Sequence, residues 1–417
     1  MLGSVLGQSP IHPRRGDGRP LVLTGGNGVY VHDDAGNTWI DFDNARSSVL
    51  LGHADARVAE AVAEAARGGR GTTTGWTATL DSVLDRLHRL CGGDRISLFR
   101  TGTAAVRAAV GAVRDSTGKR LVLSSGYHGY DVMWSAPPAL FEPNADGIID
   151  FLYDLEVLTR CLDREPGAVA AVVVSTDAIH LDEGWYRRLD AIARPRGVVV
   201  ILDEVRTGLR HRPGLQIAGQ VIPADVWVLS KGMANGHAIS AVGGDATLLN
   251  SLRQTSFTSY FEPTILAAAE ATLAVVETGE VQSAVLAQGD HFIAEAGSAL
   301  AEAGLPIEII GGGAMFQFVC ANAVVENEFY RAAGAEFLLF YPGDHQAPSL
   351  ALSGDALDES VQRFRKACKV LAGRWPDVKI DEKSRYRAAW WEMCGLGDFA
   401  RTPDETSRWV DWLNQTD

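Results

Sequence analysis

The amino-acid sequence predicts an α/β fold, with a large unit of mainly parallel sheet and crossover helices and a small α+β unit built from the N- and C-terminal segments. Three observations lead there. Between residues 95 and 245, short apolar runs alternate with segments of helical period, the pattern of parallel strands joined by helices. Beyond residue 305 the order changes to paired strands, helix, strands, helix. The chain has 417 residues, 46% hydrophobic and 22% charged, an ordinary globular composition whose length exceeds what one core usually organises.

The elements follow in order. Val29, Val31 and Ile40 alternate with polar residues around the turn Asp34-Ala35-Gly36-Asn37, which predicts a hairpin. Apolar residues at helical spacing predict helices over 55–66 and 78–90. Short buried strands are expected around 96–99, 121–123, 168–174, 198–202, 226–229 and 238–242, with helices over 103–115 and 185–194. Ala- and Leu-rich stretches over 263–278 and 281–303 predict long helices. Further on, strands are expected near 308–310, 315–319, 337–341 and 348–352, with Gly311-Gly312-Gly313 as a turn and a helix over 355–371. The expected units are 1–55 and 305–372 for the small domain, 56–304 for the large one, and a Trp-rich extension over 373–417. That extension holds Trp375, Trp390, Trp391, Trp409 and Trp412, an aromatic density that predicts packing against the rest of the protein.

A formal net charge of -14 argues against a nucleic-acid groove and would welcome a cationic substrate. The cysteines Cys91, Cys161, Cys320, Cys368 and Cys394 lie far apart with no C-x-x-C pair, so neither a disulfide framework nor a zinc site is expected. No apolar run reaches the roughly 18 residues needed to span a bilayer, and no leader-like apolar region opens the chain. A cytoplasmic protein without a membrane partner is the expectation. No G-x-G-x-x-G dinucleotide fingerprint, G-x-x-x-x-G-K-[ST] loop or H-E-x-x-H pair is present. Isolated histidines such as His53 and His211 read as structural.

Three features carry chemistry. Thr101-Gly102-Thr103 opens a helix after an apolar run, where backbone N–H groups and the helix dipole favour a phosphate, although a plain Thr cap looks the same. Asp203 ends the run 198–202; ligands of open parallel sheets bind at that end of the strands, and a buried carboxylate there needs a cationic partner. An acidic loop cap is the bland alternative. Lys231 follows the run 226–229 by two residues, among small residues, where a desolvated amine becomes available for imine chemistry; a solvated surface lysine is the alternative. Each is weak alone. Their order along the chain, with Gly-Thr at a helix start and Asp and Lys at successive strand ends, is the strong signal.

Read as they stand, FRTGTAAVRAAV, SSGYHGYD, VVVILDEVRTGLR, VWVLSKGMANGHAISAVGG and FTSYFEPTILAAAEATL resemble the class III aminotransferases, in particular their glutamate-1-semialdehyde aminomutase-like branch. The resemblance runs from Gly28 to Leu371. It implies a fold-type I pyridoxal 5'-phosphate (PLP) enzyme, a homodimer with active sites at the subunit interface. It further implies that Lys231 carries the cofactor as an imine, Asp203 holds the ring nitrogen, Val205 packs on one ring face and Tyr127 stacks on the other. Gly102 and Thr103 would bind the phosphate, and Thr258 would reach the phosphate of the neighbouring subunit.

Departures from the family pattern bear on substrate. Thr101-Gly102-Thr103-Ala104-Ala105 stands where the family commonly has Ser-Gly-Thr-Glu-Ala, and Phe261-Glu262-Pro263 where it often has Gly-Asn-Pro. No counterpart of the arginine that clamps a substrate carboxylate in many relatives is recognisable. The expectation is a non-α amine or aldehyde, an amino sugar or aminoglycoside-type intermediate of secondary metabolism, processed by transamination with Lys231 moving the proton. An isomerase, either epimerase or aminomutase, would remove the same proton and return it to carbon. A non-catalytic relative is disfavoured by the presence of both Lys231 and Asp203. Tyr127 and His128 are expected near the cofactor in stacking and loop-packing roles.

Overall fold

Apolar runs dominate the centre of the chain, and the architecture grows from them. The computed structural model describes residues 21–68, 75–129, 131–134, 142–216, 222–255 and 261–393. The main sheet has seven strands in the order β4-β10-β9-β8-β7-β5-β6, formed by β4 (Arg95–Phe99), β5 (Leu121–Ser125), β6 (Ile148–Asp150), β7 (Val169–Ser175), β8 (Val199–Asp203), β9 (Val226–Leu229) and β10 (Ser240–Gly244). Strands β5 to β9 pair in parallel, whereas β10 runs antiparallel to both β9 and β4. Every residue of β7 and β9 is buried, as expected for strands covered on both faces.

Side chains alternate across the sheet with period two. Val226 and Val228 face α4 (Gly102–Thr117), together with Ala171, Val173 and Ile201. Trp227 and Leu229 face the other side, where α2 (Ala56–Arg67), α3 (Ala78–Cys91) and α7 (Pro263–Val276) pack. On that side α5 (Leu155–Arg164) and α6 (Glu183–Ala193) cover β7 and β8. Gly243 is required by this packing, because a Cβ there would run into the Trp227 indole on the adjacent strand.

A second sheet joins the N-terminal strands to a strand from the C-terminal part of the chain. Strands β1 (Leu23–Asn27), β2 (Tyr30–Asp33) and β3 (Thr38–Asp41) form an antiparallel meander, and β13 (Leu338–Leu339) adds parallel to β3 with Leu338 opposite Ile40. The predicted hairpin turn is locked by Asp33, whose carboxylate accepts from Ala35, Asn37 and the Trp39 indole. Below it, the phenylalanines Phe42, Phe292, Phe316, Phe318, Phe340 and Phe364 build a core with α8 (Glu280–Glu302), α9 (Ala323–Ala335), α10 (Asp355–Leu371) and the β11–β12 hairpin (Ile307–Gly312, Met315–Cys320). The first part of the Trp-rich extension forms α11 (Glu382–Met393), which docks on β12: Gln317 Nε2 donates to Ala388 O, and Ser384 Oγ to Ala321 O. Trp375 packs on the phenylalanine core, whereas Trp409 and Trp412 lie outside the described residues.

The strand expected at 348–352 does not form. Pro348 has no N–H to offer a ladder, its carbonyl accepts from Arg210, and Leu350 N donates to Leu50 O at 2.8 Å. Strand β6 and helix α5 were not anticipated.

One turn is unusual. Asn44, Ala45, Arg46 and Ser47 have φ of 49°, 52°, 56° and 65°, a single left-handed turn, α1, that costs L-residues roughly 1–2 kcal/mol each. It is held from outside: Asp41 Oδ1 accepts from the N–H of Asp43 and Asn44, Asn44 Nδ2 donates to Ala347 O, and Arg210 Nη1 donates to Ser47 O at 3.3 Å. Arg210 is fully buried and also donates to Ala314 O and Pro348 O, so it ties α1, the hairpin β11–β12 and the 348 segment to the main sheet. Arg210→Met strands three buried carbonyls and is expected to lower unfolding stability by about 3–5 kcal/mol, read as a reduced urea midpoint; an unchanged midpoint would mean that the carbonyls find other donors.

Candidate active site

Strand ends deliver the site. A cavity of about 380 Å³ opens at the C-terminal ends of the parallel strands, the place where sheets of this kind bind ligands. Ser175 and Asp203 are the last residues of β7 and β8, and Lys231 follows β9 by two positions. Gly102, Thr103, Tyr127, Asp203, Val205 and Lys231 all line this one cavity, as the sequence led us to expect of residues from four separate segments. Thr258 lies outside the described residues.

Lys231 begins a short 3-10 turn with φ of 44°, an unusual value for a side chain of its length. Burial lowers its amine pKa to about 8, with the charges of Arg46 and Arg206 acting in the same direction and Asp344 and Asp43 opposing. Two positions before it, β9 fixes its direction; four after it, Asn235 accepts from Leu51 N and donates to Gly52 O, joining this turn to the segment that follows α1.

Asp203 is buried and oriented from both sides. His128 Nδ1 donates to Oδ2 at 2.7 Å, and Val205 N donates to Oδ1 at 3.0 Å. His128 is itself buried, with its ring 4.8 Å from that of Trp134 and its Nε2 without a partner among the described residues. This histidine orients the carboxylate, a role beyond the loop packing expected from sequence. Nothing in the sequence links positions 128 and 203, because the contact exists only after β5 and β8 are aligned in the sheet.

At the far side, Thr101 caps α4 by accepting from Ala104 N, which leaves the first N–H groups of the helix facing the cavity. A Cβ on Gly102 would stand 2.9 Å from the Val205 methyls, and a Cβ on Gly129 would collide with the Thr103 hydroxyl. Backbone and hydroxyl are thereby packed into a cradle that only glycine permits at these two positions.

Two arginines escaped the sequence reading. Arg206 lines the cavity and pairs with Asp177 at 3.1 Å; Arg46 lines it from α1, pairs with Asp344 at 3.3 Å and stands 4.0 Å from the centroid of the Tyr341 ring. Each carries a carboxylate partner. His53 and His211 are structural as expected: His53 Nε2 donates to Asp41 Oδ2, and burial pushes His211 down to about 4. Among the described residues no helix is long and apolar enough to cross a membrane.

Comparison with known proteins adds to this geometry. Residues 11–368 match the family model described as aminotransferase class-III. A 2'-deamino-2'-hydroxyneamine transaminase from Streptomyces kanamyceticus is 32% identical over 368 residues, covering 84% of this chain and 90% of that protein. A glutamate-1-semialdehyde 2,1-aminomutase from Symbiobacterium thermophilum is 30% identical over 259 residues, 56% of this chain and 59% of its own. A solved transaminase with PLP bound shares the fold with a TM-score of 0.78 at 20% identity, over 89% of this chain and 96% of that one. The cavity fits that cofactor: it offers a carboxylate for a protonated ring nitrogen, a glycine-permitted helix start for a phosphate, and a desolvated amine between them.

The amine supplies a test. In protein stripped of cofactor, acylation of Lys231 followed by peptide mass spectrometry should accelerate as pH rises through about 8, because only the neutral amine is nucleophilic. Exposed lysines should accelerate only towards about pH 10.4; a Lys231 that follows them would contradict the electrostatics described.

Proposed function

The chain belongs to the class III aminotransferases and is a PLP-dependent aminotransferase, and from that premise we propose that it acts on a non-α amine of amino-sugar or aminoglycoside type, with Lys231 as its catalytic residue. The observation that carries the site assignment is the convergence of Lys231 and Asp203 on one cavity from adjacent strand ends. For the substrate, support comes from the relative named for a neamine substrate, similar along most of both chains. It comes also from arginines that already hold carboxylates, Asp177 and Asp344, and from the net charge of -14.

Bound PLP supplies an aldehyde that condenses with primary amines and a pyridinium ring that withdraws electrons from the carbon bearing the amine. The chain supplies the rest. Asp203, oriented by His128 and Val205 N–H, would keep a proton on the ring nitrogen. Gly102 and Thr103 would hold the phosphate through N–H and hydroxyl groups, while Val205 and Tyr127 would pack against the ring. Lys231 Nζ, neutral at mildly basic pH, is placed to take the proton from the amine-bearing carbon of the substrate, and with the cofactor bound would return it to the cofactor carbon on the far side of the nitrogen.

A homodimer in the cytoplasm completes this reading, with Thr258 approaching the neighbouring subunit's phosphate. Trp76 supports a covered surface here: it is 65% exposed and packs edge-on against Phe261, beside the segment that holds Thr258.

Lys231→Ala should reduce turnover by about 10²–10⁴-fold, whereas Asp203→Asn should weaken both turnover and cofactor retention, read from absorbance after dialysis. Across a panel of amine donors, aminocyclitols and amino sugars should be consumed with release of a carbonyl product. Turnover confined to simple α-amino acids would sink the substrate assignment, and return of an isomeric amine without a carbonyl product would favour an aminomutase or epimerase.

A further inference from the structure

One wall of the cavity is built by residues that cofactor binding does not use. Arg46 reaches it from the left-handed turn α1, whose four positive φ values persist because Asp41, Asn44 and Arg210 hold the backbone from three directions. Strain of this kind concentrates where a side chain must be aimed at a ligand. The guanidinium lies over Tyr341, 4.0 Å from its ring centroid, and shares the cavity with Lys231 and Tyr127.

Its electrostatic setting narrows what it can bind. Asp344, 2% exposed, accepts from Arg46 Nη2 at 3.3 Å and from His345 Nδ1 at 2.8 Å. Asp43 stands beside the pair, and burial together with Asp41 and Asp344 pushes its carboxyl up to about 6. An incoming carboxylate would therefore meet an arginine already balanced by one acid, with further acids behind it. A neutral oxygen meets no such repulsion. The guanidinium has five donor hydrogens in a fixed fork, and the contact to Asp344 engages one of its three nitrogens.

We propose that Arg46 is a specificity-determining residue whose guanidinium donates to a hydroxyl or ring oxygen of a polyhydroxylated amine held beside Lys231. The proposal rests on the reading of this cavity as an aminotransferase site for such amines. The left-handed turn aims the fork, Tyr341 supports its face, and Asp344 sets its charge.

The test compares kcat/KM of the PLP-loaded enzyme for 2-aminocyclohexanol, cyclohexylamine and 2-aminocyclohexanecarboxylate in wild type, Arg46→Met and Asp344→Asn. Cofactor absorbance and circular dichroism verify loading and folding. Wild type should prefer the hydroxylated amine to the unsubstituted one, and Arg46→Met should reduce that ratio by about 10- to 100-fold, the worth of a hydrogen bond to a charged group, whatever is lost on both. Asp344→Asn should move preference towards the carboxylated amine. A ratio unmoved by Arg46→Met, with wild type still preferring the hydroxylated amine, overturns this proposal alone. Wild-type preference for the carboxylated amine that disappears in Arg46→Met overturns it in favour of a carboxylate clamp, and a wild type that ignores hydroxylated amines overturns this proposal and the substrate reading together.

Discussion

A lysine amine placed in a low-dielectric cavity next to two guanidinium groups cannot hold its proton as a surface lysine does. Arg46 and Arg206 both depress the basicity of Lys231, and each is itself balanced by an acid, Asp344 or Asp177, so the cavity keeps positive potential at the amine without a large excess of charge. Charge pairing in turn demands rigid placement. Arg206 follows the end of β8 by three residues, whereas Arg46 comes from near the N-terminal end of the described chain, and the buried Arg210 ties its turn to the main sheet through three carbonyls. Burial lowers Arg210 itself to about 10, still far above neutrality, so the tie keeps its charge under working conditions.

Much of this was legible in the sequence, and the parts that were not share a cause. Buried strands of a parallel sheet leave long apolar runs, so the ends that carry Asp203 and Lys231 could be located by run length alone. Helix α10 begins and ends at the residues expected, Asp355 and Leu371, because Gly354 and the Ala372-Gly373 pair bracket its amphipathic stripe. Strand direction leaves no comparable trace: β10 is as fully buried as β7 and β9, yet it runs antiparallel to its neighbours. Pro348 to Leu352 carries apolar residues that are buried by cross-links to Leu50 and Arg210 and not by a ladder.

Contacts between distant segments were out of reach for a different reason. His128 and Asp203 lie 75 positions apart, and only the sheet brings them within 2.7 Å. Arg46 sits in a polar stretch whose left-handed backbone no hydropathy pattern reports; the residues before and after it read as an ordinary loop. The extension beyond the family match was expected to pack, and its described part does so through Trp375 on the phenylalanine core and through polar bonds from Gln317, Ser384 and Arg387. Gln317 donates to Gly343 O as well as to Ala388 O, so α11 and the loop leading to Asp344 and His345 share one anchoring side chain.

The left-handed turn has an evolutionary consequence. Its energetic burden lies in the backbone dihedral, which is nearly the same for any L side chain other than glycine or the β-branched residues. Exchange of the residue at position 46 therefore leaves the backbone cost of the turn almost unaltered while rewriting one wall of the cavity, and what it does cost is the pairing with the buried Asp344. A fold that separates the burden of aiming from the identity of what is aimed can diversify its chemistry of recognition at position 46 when Asp344 changes with it, and the charge felt by Lys231 shifts in step.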